Sequence, residues 1–590
     1  MSTALDISDC GDAAVRVTCR TTDREQAWHV VHALSGWLDE RRHDHHLRGA
    51  IATYDAVLVE FDAALTDHDA VRGLVRAAVA GSRPRSIRAP RHFDIPVVYG
   101  GDHGPDLARV AEQQGIDVDR VVAIHTEQAL VMRCFGAPAG APMLDGPRFP
   151  LPVPRLASPR AAVPAGSVAV AGRQAVVSAR QAPGGWCVIG RTPRTLVDVD
   201  RDPPAAFAPA TRSASSPSGP PSGPPTRGGS MRETACVQVV EPGLSTVQDL
   251  GRADGPRSGQ MAGGALDQYS ARMANTLVAC DPDAALLELV ALDFAATTDA
   301  DLLVAVTGAD ADVTVDGHPQ PQWEPVVWRA GTRLAVRRIR SGLRVYLSVH
   351  GTFHTRRLLG SCAPDTVLGF GAPLDADAVL TVAVDCPPVV QPWFDIPFFR
   401  LGARPHPYSG RWNVDLTDGP DVGEFGPTAA RLVATDYVVG DRSNHIGLRL
   451  RRADRGPLPG REVATEVLSR GVPVGAVEVP DGDELLVLHR GRGVTAGYPV
   501  LAVVTSVGLS RLGQARPGET VRFRHVTCAA AIADYRRQQA HLAEIRTRVQ
   551  TVYTSLGIPL HFTDRHFTDR HGHPHRTSTT PSATELQESA

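Results

Sequence analysis

The sequence predicts a mainly β protein that opens with an α+β domain and divides into two halves across a linker. Three observations predict this. Strand and helix signals alternate over residues 1–90, with no nucleotide-binding glycine fingerprint among them. From residue 91 onward the apolar segments are short, rich in Val and Leu, and punctuated by Gly, Asp and Pro, as strands joined by tight turns are. Between the halves, residues 203–231 contain Ser-Ala-Ser-Ser-Pro-Ser-Gly-Pro-Pro-Ser-Gly-Pro-Pro. That composition cannot bury enough apolar surface to offset chain entropy, so a disordered linker is expected there.

In residues 1–90, Gly11 to Val17 reads as a turn feeding a strand. Thr22 and Glu25 form a capping box for a helix whose stripe is Ala27, Val30, Val31, Leu34 and Leu38. Val57, Val59 and Phe61 alternate as a strand, and Val71, Leu74, Val75 and Ala78 return to helical spacing. The run from Arg41 to His46 holds three histidines, but adjacent histidines rarely converge on a metal, and a solvated loop is expected.

Residues 91–202 carry β structure and two short helices. Pro105 opens a helix that ends at Gly115, and Asp117 caps a second one with Val118, Val121, Val122 and His125 on one face. His125 alone reads more often as a satisfied core histidine than as a ligand contact. Residues 232–388 form the next domain, with strands at Leu303–Asp310 and Leu343–Val349. In residues 389–556 the β pattern continues to Arg524 and gives way to a helix over Ala529–Leu556. Residues 557–590 repeat His-Phe-Thr-Asp-Arg and add His571, His573 and His575, a tail expected to be disordered.

The totals bound the function. At 590 residues the chain is too long for one core. Its net charge of −3 provides no field that would gather nucleic acid or an anionic membrane. No apolar run is long enough to span a bilayer and no N-terminal signal pattern is visible, so a cytoplasmic location is expected. Nine scattered cysteines without a Cys-x-x-Cys pair argue for reduced thiols, and no metal site is expected. Most decisive is an absence: there is no lysine, so all 61 basic residues are arginine. A Walker A loop, a Schiff-base lysine and a biotin carrier all require lysine and are excluded. Any anion must be held by guanidinium groups and main-chain amides.

The densest chemistry lies between Pro242 and Asn275. Pro-Gly-Leu-Ser-Thr-Val-Gln-Asp-Leu-Gly-Arg opens the stretch, and Gly-Gln-Met-Ala-Gly-Gly-Ala-Leu-Asp-Gln-Tyr-Ser-Ala-Arg-Met-Ala-Asn follows. Gln248, Asp249, Arg252, Asp267 and Asn275 stand among its glycines and could together form a polar pocket. This stretch resembles the opening of the C-type 5-oxoprolinase subunit family, also called the biotin-dependent carboxyltransferase or allophanate-hydrolase subunit 2 family. Upstream, Tyr99-Gly100-Gly101, Gly104-Pro105-Asp106-Leu107, His125-Thr126, Pro164-Ala165-Gly166-Ser167-Val168 and Pro183-Gly184-Gly185-Trp186 occur in order. They resemble the B-type 5-oxoprolinase subunit family, also called the Kip-type histidine-kinase inhibitor or allophanate-hydrolase subunit 1 family.

The resemblance implies three cyclophilin-like β-barrels, one before the linker and two after it. It implies a fused B/C component that opens 5-oxoproline to glutamate with ATP, Mg²⁺ and a separate A-type subunit, and that makes an intramolecular B–C contact. Asp249, Arg252, Asp267, Arg449 and Tyr498 become candidate catalytic residues, and Gln248, Asn275, His125 and Glu478 candidate substrate contacts. No covalent biotin is expected on this chain. The sequence also departs from the family pattern. Ser443-Asn444-His445-Ile446-Gly447 stands where Ser-Asp-Arg-Met-Gly is usual. Val494-Thr495-Ala496-Gly497-Tyr498-Pro499 replaces Thr-Thr-Gly-Gly-Tyr-Pro, with Gly491 where an Asp is usual. Upstream, Gly136 to Leu144 lacks three aromatics of the usual Gly-Phe-x-Pro-Gly-Phe-x-Tyr-Leu segment. Two alternatives follow: a carboxyltransferase component of a biotin-dependent urea-type carboxylase, or a non-catalytic Kip-like regulator of a histidine kinase.

Overall fold

A computed structural model describes residues 4–81, 92–136, 139–201, 203–205, 207–209, 233–384, 400–405, 408, 410–463, 468–480 and 482–562. The expected linker from residue 210 and the tail beyond residue 562 lie outside the described residues. The chain is mostly β with a few helices. Its first sheet has four antiparallel strands, Ala4–Asp9, Ala14–Arg20, Ala56–Phe61 and Leu47–Ala52 in spatial order. Helices α1 (Arg24–Glu40) and α2 (His68–Gly81) share a core with it, through Val31, Leu34, Val71 and Val75 against Val15, Val17, Val57 and Val59. The α1 cap is Asp23 rather than Thr22: its carboxylate accepts from the Glu25 and Gln26 amides. That leaves Glu25 free to pair with Arg133 of the following sheet.

The second sheet has six strands, running Val98–Tyr99, Cys187–Arg191, Ser167–Ala171, Gln174–Val177, Ala141–Asp145 and Val131–Gly136. Helices α3 (Leu107–Gln114) and α4 (Val118–Thr126) bury Leu107, Val110, Val121 and Ile124 against it. Gly115 ends α3 at φ 66°, and Asp117 caps α4, both as expected. Past the linker, residues 233–384 build a ten-stranded sheet around the long strand Arg333–Val349, with helix α5 (Gln268–Leu277) packed on it. Its first strand, Glu233–Glu241, pairs with its last, Val379–Val384.

The fourth sheet is a closed barrel of seven strands. Closure comes from Arg411–Asp418 lying parallel to Thr520–His525, and Val414, Leu416, Leu450, Val477, Val487 and Phe523 fill the interior. Of the three barrels expected, this is the one whose strand ladder closes among the described residues. Among the described residues the other two sheets have edge strands with no partner across the gap. The segment of residues 203–209 also departs from expectation. Ala205 and Phe207 are buried against the second sheet, so the chain stays packed into the start of the proline-rich stretch. At the other end, the His561 amide donates to Ala279 O, so the first residues of the tail are packed as well.

Helices α6 (Arg431–Ala434) and α7 (Ser506–Leu512) are short, and α8 (Cys528–Ser555) is long. α8 is a strap between distant parts of the chain. Ile532 and Tyr535 enter the N-terminal core, while Leu542, Ile545, Val549 and Tyr553 pack with α5. The two halves of the chain are in extensive contact. Arg16 pairs with Asp421, Arg470 with Asp55, Arg492 with Glu60 and Arg257 with Asp39. Among the described residues no helix is long and apolar enough to cross a membrane.

Candidate functional site

A cavity of about 820 Å³ lies where four parts of the chain meet: the N-terminal sheet, the loop after Asp249, the run His489–Arg492 and helix α8. Backbone permissiveness builds its floor. Gly251 and Gly264 have φ of 98° and 88°, and a Cβ on either would run into the backbone of the other's segment. Two strands of loop can thus lie back to back, with the Arg252 amide donating to Ala262 O at 2.6 Å. Gly491 is equally constrained, since a Cβ there would strike His445.

Three guanidinium groups define the electrostatics. Arg252 is 1% exposed. Its Nη2 donates to Ala363 O and its plane lies 5.5 Å from the Phe370 ring, but Nε and Nη1 have no partner. Burial lowers its pKa. Arg490 donates to Gly263 O and Leu250 O at 2.9 and 2.8 Å. Burial pushes it down to about 9, helped by the charges of Arg48, Arg492 and Arg272. Arg272, on α5, donates to Gln539 of α8 at 3.0 Å and leaves its Nε unpartnered. Among the described residues none of the three forms an ion pair with a carboxylate.

The buried and half-buried acids of the cavity are engaged elsewhere, with Asp62 also feeling the charge of Arg272. Glu60 is taken by Arg492 at 2.8 Å, Asp254 by Arg42 at 3.1 Å and Asp62 by Arg48 at 3.7 Å. Asp12 accepts from the amide and hydroxyl of Ser506. Cations held out of water without a paired counter-charge are costly, and a bound anion relieves that cost. The site is chemically an anion receptor. It suits carboxylate or phosphate groups, which match the planar fork of arginine. It does not suit a metal held by the protein, because its buried and half-buried carboxylates are already engaged. His489 stays neutral, with burial pushing it down to about 3. Its Nδ1 accepts from the Arg490 amide, which places the proton on Nε2, toward Leu509 O.

Of the nine residues singled out from sequence, Arg252 is the one that lines this cavity. Asp249 accepts from Gly251 N, Ser361 Oγ and Cys362 N at 2.8, 2.6 and 2.8 Å. Asp267 caps α5, accepting from Ser270 N, Ser270 Oγ and Gln514 Nε2 at 3.1, 2.6 and 2.8 Å. These two carboxylates hold loop and helix in place. Asn275 is consumed by Pro282 O, Ala284 O and Ser348, while Gln248 donates to Thr246 and keeps a buried Oε1 without a partner. Arg449 pairs with Glu484 on the barrel wall, and Tyr498 is 44% exposed. His125 is a core histidine against Tyr99 at 2.7 Å, held neutral by burial at about 4. Sequence reasoning missed Arg272, Arg490 and Arg492. The run His489-Arg490-Gly491-Arg492 was the available signal, because in a chain without lysine two arginines flanking an obligatory glycine are anion-ligand candidates.

Glu478 lies away from the cavity, on a barrel strand, with Oε1 buried and unpartnered. Burial pushes its carboxyl up to about 8 from 4.5. Between those values the unfolded chain releases a proton that the folded chain keeps. The associated stability is therefore complete below the lower value and lost as pH rises through the upper one. Glu478→Gln cannot ionise, so its melting temperature relative to the parent is expected to rise steadily from pH 5 to pH 8.5. Parallel pH profiles for the two proteins would show that this carboxyl is ionised in the fold.

Comparison with known proteins matches residues 5–207 to the carboxyltransferase domain, subdomain C and D. Residues 258–525 match the carboxyltransferase domain, subdomain A and B. The chain is 30% identical over 214 residues to the B-type 5-oxoprolinase subunit of Bacillus subtilis, covering 35% of this chain and 89% of that protein. It is 27% identical over 315 residues to the C-type 5-oxoprolinase subunit of Escherichia coli, covering 53% of this chain and 98% of that protein. A match to urea amidolyase of Saccharomyces cerevisiae, 27% identical over 316 residues, covers 49% of this chain and 17% of that protein. Among solved structures, the crystal structure of TTHA0988 superposes with a TM-score of 0.72 at 30% identity, covering 87% of this chain and 99% of that one.

Proposed function

The chain belongs to the B-type and C-type 5-oxoprolinase subunit families, joined in one polypeptide, and we propose that it is the fused B/C component of an ATP-dependent 5-oxoprolinase. The observation that carries this reading is the trio Arg252, Arg272 and Arg490, left without carboxylate partners at the seam between the halves. A lactam amide resists water. ATP, as co-substrate, supplies a phosphoryl group that converts the amide oxygen into a leaving group and makes the ring carbon electrophilic. The chain's own task is then to hold an anionic substrate and to stabilise charge that builds on transferring oxygens. Guanidinium groups preorganised in a site poor in water do this without reorganising. Arg490, fixed by Gly263 O and Leu250 O, keeps its remaining donors aimed in a constant direction. Arg252, backed by Ala363 O and Phe370, turns its open edge to the ligand. Because the cavity carboxylates are engaged, Mg²⁺ would enter on the phosphates of the co-substrate and not on protein ligands.

The test is glutamate release from 5-oxoproline by the purified chain, with ATP, with and without a candidate A-type subunit. Release is expected only when both proteins are present. Undiminished release by the A-type subunit alone, or none from any pairing, would set the reading aside. A second reading, a urea-type carboxyltransferase component, is favoured by the match to carboxyltransferase subdomains. Biotin would then have to arrive on another protein, since this chain has no lysine to carry it. Carboxylation that depends on an added biotinylated carrier, without lactam hydrolysis, is its signature.

A further inference from the structure

We propose that Asp9, the Gly11 carbonyl, His68 and Cys528 form a zinc-class metal site that pins the start of α8 to the N-terminal domain. The side-chain donor atoms of Asp9, His68 and Cys528 all lie within 4.8 Å of one another. The Gly11 oxygen lies 3.0 Å from His68 Nε2 and 3.5 Å from Cys528 Sγ. His68 Nε2 is 3.9 Å from Asp9 Oδ1. Metal–ligand bonds of about 2.0–2.3 Å in a tetrahedron give donor–donor edges of roughly 3.3–3.7 Å. The separations found here bracket that range, so binding needs side-chain shifts, not backbone rearrangement.

The donor chemistry selects the metal class. Thiolate, imidazole and carboxylate together suit Zn²⁺ or Co²⁺, and not Mg²⁺ or Ca²⁺. Without metal, the Cys528 thiol and the His68 ring both converge on one carbonyl oxygen. On binding, the metal replaces the thiol proton, which is released to solvent, and the one proton of the neutral His68 ring moves from Nε2 to Nδ1. Arg72 already pairs with Asp9. It would remain as the outer partner that orients a ligating carboxylate, a role such ligands commonly require.

The ligands come from opposite ends of the chain. Cys528 is the first residue of α8 and lies 517 positions from Gly11. The same helix walls the arginine cavity through Tyr535 and Gln539, so the metal would fix the strap without touching the anion. The inference does not depend on the 5-oxoprolinase reading.

The test is Co²⁺ titration of the full chain after treatment with chelator and reductant. One Co²⁺ per chain is expected to develop a near-ultraviolet thiolate-to-cobalt charge-transfer band. The band should vanish in Cys528→Ser, and affinity should fall at least ~10-fold in His68→Gln. Histidines of the C-terminal tail can bind Co²⁺ but cannot produce a sulfur band. No band at saturation in the parent chain, or an undiminished band in Cys528→Ser, overturns the proposal. Should Cys528→Ser fail to fold, an unchanged band and affinity in His68→Gln overturns it equally.

Discussion

Arg252→Met is expected to lower lactam-dependent ATP turnover by ~10²-fold or more, measured with the A-type subunit present. The substitution keeps much of the side-chain volume and removes the charge. In the parent chain the guanidinium is 1% exposed and leaves Nε and Nη1 without partners. A group in that condition burdens the free protein. Replacing it with an apolar side chain of similar size should therefore leave the melting temperature unchanged or raise it. The two readouts are expected to move in opposite directions, which a structural residue would not produce. Parent-like turnover in Arg252→Met would remove Arg252 from the site. A large fall in melting temperature would assign it to the fold instead. Arg252→Lys is a useful companion, because it restores charge but not the fork, and only partial recovery is expected.

The second large effect concerns the seam. Arg16, on the second strand of the N-terminal sheet, donates through Nη1 to Asp421 Oδ2 at 2.9 Å and through Nη2 to Pro420 O at 3.2 Å. Its Nη2 also reaches Asp421 Oδ1. Both side chains are buried, and Asp421 additionally accepts from the Val500 amide at 2.9 Å. Arg16→Ala leaves the buried Asp421 carboxylate with only the Val500 amide and Arg470, 3.9 Å away, and a loss of about 3 kcal/mol is expected in the first denaturation transition. Arg16→Met combined with Asp421→Leu removes both charges and should recover most of that loss. A cost below ~1 kcal/mol for Arg16→Ala would show that the seam does not rely on this pair.

How much of this could be read from the sequence differed sharply between fold and site. The stripe of α1, the Gly115 end of α3 and the Asp117 cap of α4 were readable because each depends on residues a few positions apart. Thr22 was the wrong cap by one residue, since Asp23 offers the stronger acceptor. Closure of the barrel was not readable from pattern. It rests on Arg411 lying opposite Thr520, a register that alternation alone does not specify. At the site, dense glycines pointed to the loop that carries Arg252, which lines the cavity. The same density made Asp249 and Asp267 look catalytic. In the fold their oxygens are spent on the amides and hydroxyls that those turns and the helix start leave unpaired.

What the sequence determined alone is the kind of chemistry available. A chain with 61 arginines and no lysine grips anions chiefly through guanidinium and main-chain amide groups, and can accept no biotin of its own. What only the tertiary structure decided is which arginines remain free to do so. Arg492 finds Glu60, 432 positions away, and Arg42 finds Asp254, while among the described residues Arg252, Arg272 and Arg490 hydrogen-bond only to neutral oxygens. The physical reason is that an ion pair forms wherever folding brings opposite charges within a few ångströms. The charges left over are thus a property of the packed chain, which no local stretch of residues encodes.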